Sequence, residues 1–196
     1  MPGKKIGVIG DGNVGSALAR GLKRAGHDVR PVGNDKSKIR ETAGWAETVI
    51  LAVPFKALDD VVQTAGEALS GKTVIDVTNA LNPDMSLAMG FNTSGAEELQ
   101  KKLPKARVVK SFNTVFAKNM ETGKLGGEPI SAFVAGDDQG AKATVLQLAR
   151  EIGFDAIDCG PLQNARHLEP LGVLNIHLGY VGKMGTDIGF KLVHAR

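Results

Sequence analysis

The sequence predicts a doubly wound α/β fold: a mostly parallel sheet with helices on both faces, followed by a short helical C-terminal segment. Three observations carry this. Short apolar runs, of the length of buried parallel strands, recur along the chain. Between them lie longer stretches whose apolar residues repeat at helical spacing. Strands that alternate with helices need crossover connections, which put helices on both faces of a parallel sheet. No internal repeat and no Pro/Ser-rich linker interrupts the pattern. The expected organisation is therefore one compact unit, with the sheet domain in residues 1–160 and a helical segment in 161–196 that closes its cleft.

The elements follow in order. Lys5 to Ile9 (KIGVI) is an apolar run bounded by glycine and reads as a buried strand. A helix follows from Asn13, with Val14, Ala17, Leu18, Leu22 and Ala25 at three-and-four spacing and Gly26 as its C-terminal glycine. Asp28 to Val32 is a second strand, and Pro31 puts that stretch at a strand end or a bulge. A short helix around Ser37 to Ala43 leads to the strand Thr48–Val53. Leu58, Val61, Val62, Ala65 and Leu69 mark the next helix, and Lys72 to Val77 the next strand. Asn79 to Asn92 reads as an irregular loop broken by Pro83 and Gly90. Ser94 with Glu97 three residues on is a capping box for a helix to Leu103. Arg107–Ser111 and Ser131–Ala135 are further strands, and Ala141 to Ile152 is a helix ended by Gly153. Ala156 to Cys159 is the last strand. From Gln163 the chain reads as a helix with Leu168, Leu171, Leu174 and Leu178 on one side, kinked by Pro170.

Composition excludes several classes. With 42% hydrophobic and 23% charged residues, the 196-residue chain can bury one good core. Its net charge of +3 comes from interspersed basic and acidic residues, and one Trp and one Tyr offer no base-stacking platform, so nucleic acid is not an expected partner. No apolar run is long enough for a membrane span, and MPGKK lacks the apolar core of a signal peptide. The single cysteine, Cys159, permits no intrachain disulfide and suits a reducing compartment, the cytoplasm.

The informative motif is Gly10-Asp11-Gly12-Asn13-Val14-Gly15, a G-x-G-x-x-G that follows a strand directly and opens an amphipathic helix. In that context it is the dinucleotide fingerprint of a Rossmann-type domain. Gly10 makes the tight turn, Gly12 lets the backbone approach a pyrophosphate, and Gly15 allows close helix–strand packing. The helix N-terminus offers free N–H groups and the positive end of its dipole to the phosphates. The residues after the second strand should read the adenosine ribose. Asp35 suits the two ribose hydroxyls of NAD, whereas Asn34, Lys36 and Lys38 suit the 2′-phosphate of NADP. Asp11 adds a negative charge close to the phosphates. The turn thus suits NAD and NADP about equally. Ala52-Val53-Pro54 and the stretch containing Asn79 end two further strands, where ligands bind in open parallel sheets. Asn113 is a candidate polar contact for the nicotinamide; its neighbour Phe112 suits the core better than ring stacking.

A general acid or base is hard to find. His27 follows the first helix, His167 and His177 lie in the C-terminal helix, and His194 is near the end, none with an obvious carboxylate relay. No Tyr-x-x-x-Lys pair and no Cys/His cluster for a metal is present. Only 36 residues follow Gly160, too few for a separate substrate domain. This favours hydride transfer between two bound planar carriers, for which the protein supplies positioning and electrostatics. A non-catalytic, NAD(P)-binding redox sensor is the alternative that the same absence allows.

Beyond the fingerprint, the chain carries AVP at 52–54, DVTNAL at 76–81, VVKSFNT at 108–114, FVAGDD at 133–138, GPLQNARHLEPL at 160–171 and GKMGTDIGFKL at 182–192. With these blocks it resembles the NADPH-dependent reductases of the deazaflavin coenzyme F420, and the module is similar to the reductase domain of six-transmembrane metalloreductases. The resemblance implies NADP at Gly10–Gly15 and at the second-strand turn. It also implies F420, or a flavin such as FMN or FAD in relatives, stacked on the nicotinamide in a cleft closed by the C-terminal segment. By position, Phe112 and Asn113 would border the nicotinamide, and Met184 and Gly185 the second ring. The chain departs from the family where a hydroxyl residue and an arginine commonly hold the 2′-phosphate: it has Asn34 and Asp35, with Lys36 and Lys38 as possible substitutes. Gly172 and Gly179 leave one flank of the terminal helix smooth, which suits a homodimer packed along it or, equally, packing onto the chain's own domain.

Overall fold

The computed structural model describes residues 3–89 and 91–193; Gly90 and His194 lie outside the described residues. A seven-stranded sheet forms the centre. Its strands are β1 (Lys5–Ile9), β2 (Asp28–Val32), β3 (Thr48–Leu51), β4 (Thr73–Asp76), β5 (Arg107–Ser111), β8 (Ser131–Gly136) and β9 (Asp155–Asp158). A separate small hairpin pairs β6 (Lys124–Leu125) with β7 (Glu128–Pro129). The sheet order is β2-β1-β3-β4-β5-β8-β9, so strand order reverses between β1 and β3, where open α/β sheets bind ligands. Strands β1 to β5 are parallel; β8 runs antiparallel to β5 and parallel to β9. The reversal at β8 has a local cause. The link from β5 holds only the one-turn helix α5 (Ala117–Met120) and the hairpin, which return the chain without a full helical crossover.

Alternation along the strands feeds two cores. On one face Ile6, Val8, Ile50, Ile75 and Val109 meet helix α1 (Asn13–Arg24) and helix α6 (Gln139–Ile152). On the other, Ile9, Val49, Leu51, Val74 and Val108 meet α2 (Lys36–Trp45), α3 (Leu58–Ala65) and α4 (Gly95–Lys102). Central strands buried on both sides are what a parallel sheet sandwiched by helices requires. The mostly parallel, doubly wound Rossmann-type fold expected from the sequence is the one observed.

Several elements differ in detail. Strand β3 ends at Leu51, two residues before the expected Val53, because the chain turns at Ala52 to let Gly10 pass. Of the two places expected for Pro31, the strand end is the one observed: it lies one residue from the end of β2, in register with Val8 and without a bulge, and as β2 is an edge strand it needs no outer partner. The helix expected through Leu69 breaks at Gly66, whose φ of +20° starts a separate 3₁₀ turn. Helix α7 (Ala165–Ile176) continues through Pro170, widens into a π-turn over His177–Val181, and stops there. The expectation of a helical segment to the C-terminus is thus corrected. Residues 182–193 run irregularly back along α5 and the start of β8, where the Ser131 N–H donates to Phe190 O and the Asn119 amide to Thr186 O and Ile188 O.

Candidate functional site

The β1–α1 turn is built around three glycines. Gly10 has φ +109°, and a Cβ there would overlap the Ala52 carbonyl. A Cβ on Gly15 would overlap the Gly10 carbonyl, so the helix can leave the strand this closely only without a side chain. A Cβ on Gly12 would meet nothing within 4 Å: it points into open space above the crevice. Gly12 is also the N-cap of α1 and supplies no side-chain cap, whereas Asp35, Ser94 and Asp138 cap α2, α4 and α6. The first N–H groups of a long helix, among them those of Asn13 and Val14, thus face a bare crevice at the point where strand order reverses. This is a cradle of the kind a pyrophosphate fills.

At the end of β2 the sequence candidates separate. Asp35 caps α2, its Oδ1 accepting from the Ser37 and Lys38 N–H groups at 3.0 Å each. Lys36 turns away to an ion pair with Asp60 at 2.7 Å. Asn34, Asp35 and Lys38 line a cleft of about 670 Å³ together with Asp11, Arg30 and Glu41. The Arg30 guanidinium lies 3.9 Å above the Trp45 ring.

At the other end, Ala52, Val53 and Pro54 form the turn after β3, with Ala52 N–H donating to Ile9 O at 2.8 Å. Asn79 and Asn113, after β4 and β5, are brought together. Asn113 Nδ2 donates to Asn79 Oδ1 at 2.9 Å and to Leu168 O at 2.7 Å, while Asn79 Nδ2 donates to Asn113 O at 2.9 Å. Gly172 of α7 lies against this pair, and a Cβ there would collide with Asn79 Oδ1. Among the described residues, four buried side-chain atoms lack a hydrogen-bond partner: Thr78 Oγ1, Ser111 Oγ, Asn113 Oδ1 and Thr114 Oγ1. All belong to the C-terminal ends of β4 and β5 or the residues just after them. Phe112 is corrected in one respect: its ring does not border the crevice. It is 1% exposed and packs on Phe154 at 5.5 Å, because a left-handed φ of +62° turns it inward.

Sequence reasoning missed a buried ionic cluster beneath Asn79. Lys110 Nζ lies 2.9 Å from Asp76 Oδ2, 3.0 Å from Glu169 Oε1 and 2.6 Å from Thr78 O. The carboxylates are held in turn: Asp76 Oδ1 accepts from Thr78 N–H, and Glu169 accepts from the Gly95 and Ala96 N–H groups at the start of α4. Burial pushes the Lys110 ammonium down, but the two carboxylates outweigh it and hold it above its ordinary value. The cluster fixes the backbone on either side of Val77 and ties α7 to the sheet. A lysine inside the apolar strand RVVKS was the available signal.

A second cleft of about 360 Å³ lies on the β5 side of α1, lined by Asn13, Ser16, Arg20, Phe116, Lys118, Tyr180 and Thr186 among others. Phe116 and Tyr180 meet edge to face at 5.6 Å. Met184 and Gly185 are not part of this lining. They form the turn after α7, with Met184 58% exposed and Gly185 at φ +76°. His27 pairs with Glu151 at 2.9 Å, a carboxylate the sequence did not reveal, but does so at the opposite end of the sheet from the crevice. His167 and His177 are exposed. Among the described residues no His/Cys/Asp/Glu group suited to a metal exists, and no helix is long and apolar enough to cross a membrane.

A mostly parallel sheet with a glycine-lined, uncapped helix N-terminus at its switch point is the architecture of Rossmann-type dinucleotide-binding domains. The sequence profile of the family described as "NADP oxidoreductase coenzyme F420-dependent" matches residues 5–45 and 39–80. The F420-dependent NADP reductase of Methanocaldococcus jannaschii is 30% identical over 177 residues, covering 85% of this chain and 76% of that protein. Metalloreductase STEAP3 of Rattus norvegicus is 29% identical over 180 residues, but this chain spans only 36% of its length. A crystal structure from Arthrobacter sp. FB24, provisionally assigned as an F420-dependent NADP-reductase, superposes with a TM-score of 0.90 at 29% identity, covering 98% of this chain and all of that one. The chain belongs to the F420-dependent NADP oxidoreductase family, a family of reductases.

Proposed function

We propose that the chain catalyses hydride transfer between NADP(H), with NAD(H) as the alternative, and a deazaflavin of the F420 class, with FMN or FAD as the alternative carrier. The carrying observation is the bare, glycine-lined N-terminus of α1, which opens on one side to the cleft after β2 and on the other to the cleft rimmed by Phe116 and Tyr180. The family to which the chain belongs supports the choice of carriers. When bound, the two carriers supply the hydride donor and acceptor, ring to ring. The protein's own residues bind and orient. The α1 N–H groups and Gly12 hold the pyrophosphate, Asn34 and Lys38 the ribose end, and Ala52–Pro54 the sugar–phosphate backbone. The Asn79–Asn113 pair holds the carboxamide end, and no side-chain acid or base is required. The second cleft takes the carrier, with the Met184–Gly185 turn at its margin. A cytoplasmic location fits the single, half-buried cysteine.

Gly172 and Gly179 pack inward, on Asn113 and Phe116, so the smooth flank expected for a homodimer serves the chain's own fold. A second copy would instead use the outward face of α7 and its turn, where Leu174, Tyr180 and Val181 are exposed. Light scattering that finds only monomer at micromolar concentration overturns that assembly.

The test of function is to mix the protein with NADPH or NADH and follow loss of reduced-nicotinamide absorbance with F420, FMN or FAD as acceptor. Rapid oxidation with the deazaflavin is the expected result. Tight dinucleotide binding without turnover on any acceptor would replace the reductase with the redox-sensor reading.

A further inference from the structure

The sequence position of Asp11, between two fingerprint glycines, puts its charge near the phosphates; the structure turns it elsewhere. A Cβ built on Gly33 would lie 2.7 Å from Asp11 Oδ2 and 3.1 Å from its Cγ, so the carboxylate rests against the turn that ends β2. That is where a dinucleotide's adenosine ribose is read. The loop is held there by Ser16 Oγ, which donates to Asp11 O at 2.8 Å. The Asp11 carboxylate is exposed and has no hydrogen-bond or ion-pair partner among the described residues.

We propose that Asp11 is a specificity-determining residue, which disfavours a 2′-phosphate and admits NAD(H) beside NADP(H). The inference rests on the dinucleotide reading above and deepens it. The lining of the cleft at this turn contains three carboxylates, Asp11, Asp35 and Glu41, against two cations, Arg30 and Lys38. Arg30 is engaged by the Trp45 ring, and Lys36, the other lysine of the turn, is paired with Asp60. Arg30, whose stacked guanidinium keeps its charge and its N–H donors, and Lys38 are thus the two cations of this cleft left to meet a phosphate, against the three carboxylates. A 2′-phosphate brings about 1.5 to 2 negative charges to this spot. Beside Asp11 that is repulsive, whereas a ribose 2′-hydroxyl can donate a hydrogen bond to the same carboxylate.

The experiment measures dissociation constants of NADPH and NADH by the fluorescence of the bound reduced nicotinamide, for the wild type, Asp11→Asn and Asp11→Ser. Both substitutions lie on an exposed residue. Adenosine 2′,5′-bisphosphate and 5′-AMP serve as probes of the ribose end alone. The wild type is expected to bind the two dinucleotides within about tenfold of each other, and both variants to shift the ratio about tenfold toward NADPH and toward the bisphosphate. Variants that bind both dinucleotides with an unchanged ratio overturn the role of Asp11 and leave the dinucleotide site standing. A wild type that binds neither dinucleotide overturns the site and the inference together.

Discussion

At the scale of single residues, Gly12 and Gly15 make opposite demands that one methyl group separates. At Gly12 a Cβ meets no neighbour, so Gly12→Ala should cost the fold only about 1 kcal/mol, the difference between glycine and alanine at an N-cap. Its methyl would nevertheless occupy the path of a pyrophosphate, and dinucleotide affinity should fall by about tenfold or more. At Gly15 the Cβ strikes the Gly10 carbonyl, which is backbone and cannot swing aside, so Gly15→Ala should destabilise by about 2–4 kcal/mol. Thermal unfolding read beside dinucleotide titration checks both; a Gly12→Ala protein that binds as well as the wild type would remove the pyrophosphate from this loop. These glycines are legible in the sequence because their roles depend on spacing within one strand–turn–helix unit. The direction of Asp11 is not legible, since it depends on Gly33, which arrives from another strand. Nor is the mutual hydrogen bonding of Asn79 and Asn113, 34 residues apart.

Among elements, helix α7 is held by two electrostatic ties of different character. The buried tie is Lys110 with Asp76 and Glu169. Lys110→Met would strand two carboxylates in the core and should cost about 3–5 kcal/mol in urea denaturation, whereas Glu169→Gln, which keeps some hydrogen bonding, should cost about 1–3 kcal/mol. A Lys110→Met protein as stable as the wild type would show the cluster to be dispensable. The half-exposed tie is Glu97 of α4 with Arg166 of α7, at 2.9 and 2.7 Å through both carboxylate oxygens. Burial alone pushes Glu97 up, but Arg166 and Ser94 more than compensate and hold it below the usual carboxylate range. A depressed carboxylate contributes stability above its ordinary value and loses it as pH falls through its lower folded value. The Lys110 ammonium, raised in the fold, contributes in full below the ordinary lysine value and loses that contribution only in strong alkali. Acidification should therefore reduce stability less in Glu97→Gln than in the wild type, as seen in the pH dependence of the urea midpoint. The Ser94–Glu97 capping signal was readable because it is local. Helix α5 and the β6–β7 hairpin were not, being too short for any periodicity to register. The leucine spacing that ends at Leu178 matches α7 and its π-turn, whereas the irregular course after Val181 is not legible, because the turn that ends the helix forms against Phe116, outside the local pattern.

For the whole molecule, the alternation of strands and helices was enough to reach the fold, but the second cleft draws its walls from α1, α5, the π-turn and the C-terminal stretch at once. Nothing local announces it. Its outer wall depends on residues 182–193, which are held by Lys118 with Asp187, by the Asn119 amide to Thr186 and Ile188, and by Ser131 to Phe190. The crevice over α1's N-terminus needs none of these contacts. Truncation after Gly182 should therefore separate the two ligands. Dinucleotide dissociation constants are expected to stay within about threefold of the full chain, while turnover with the carrier falls by about tenfold or more, as loss of a positioning wall predicts. The cut also uncovers Ile130, on which Gly189 packs, so some thermal stability is lost with it. Asn119→Ala, which frees the strap without shortening the chain, should move carrier turnover in the same direction by less. If both proteins oxidise NADPH with the carrier as fast as the full chain, the carrier does not bind against the C-terminal stretch, and the cleft beside Phe116 and Tyr180 loses its assignment.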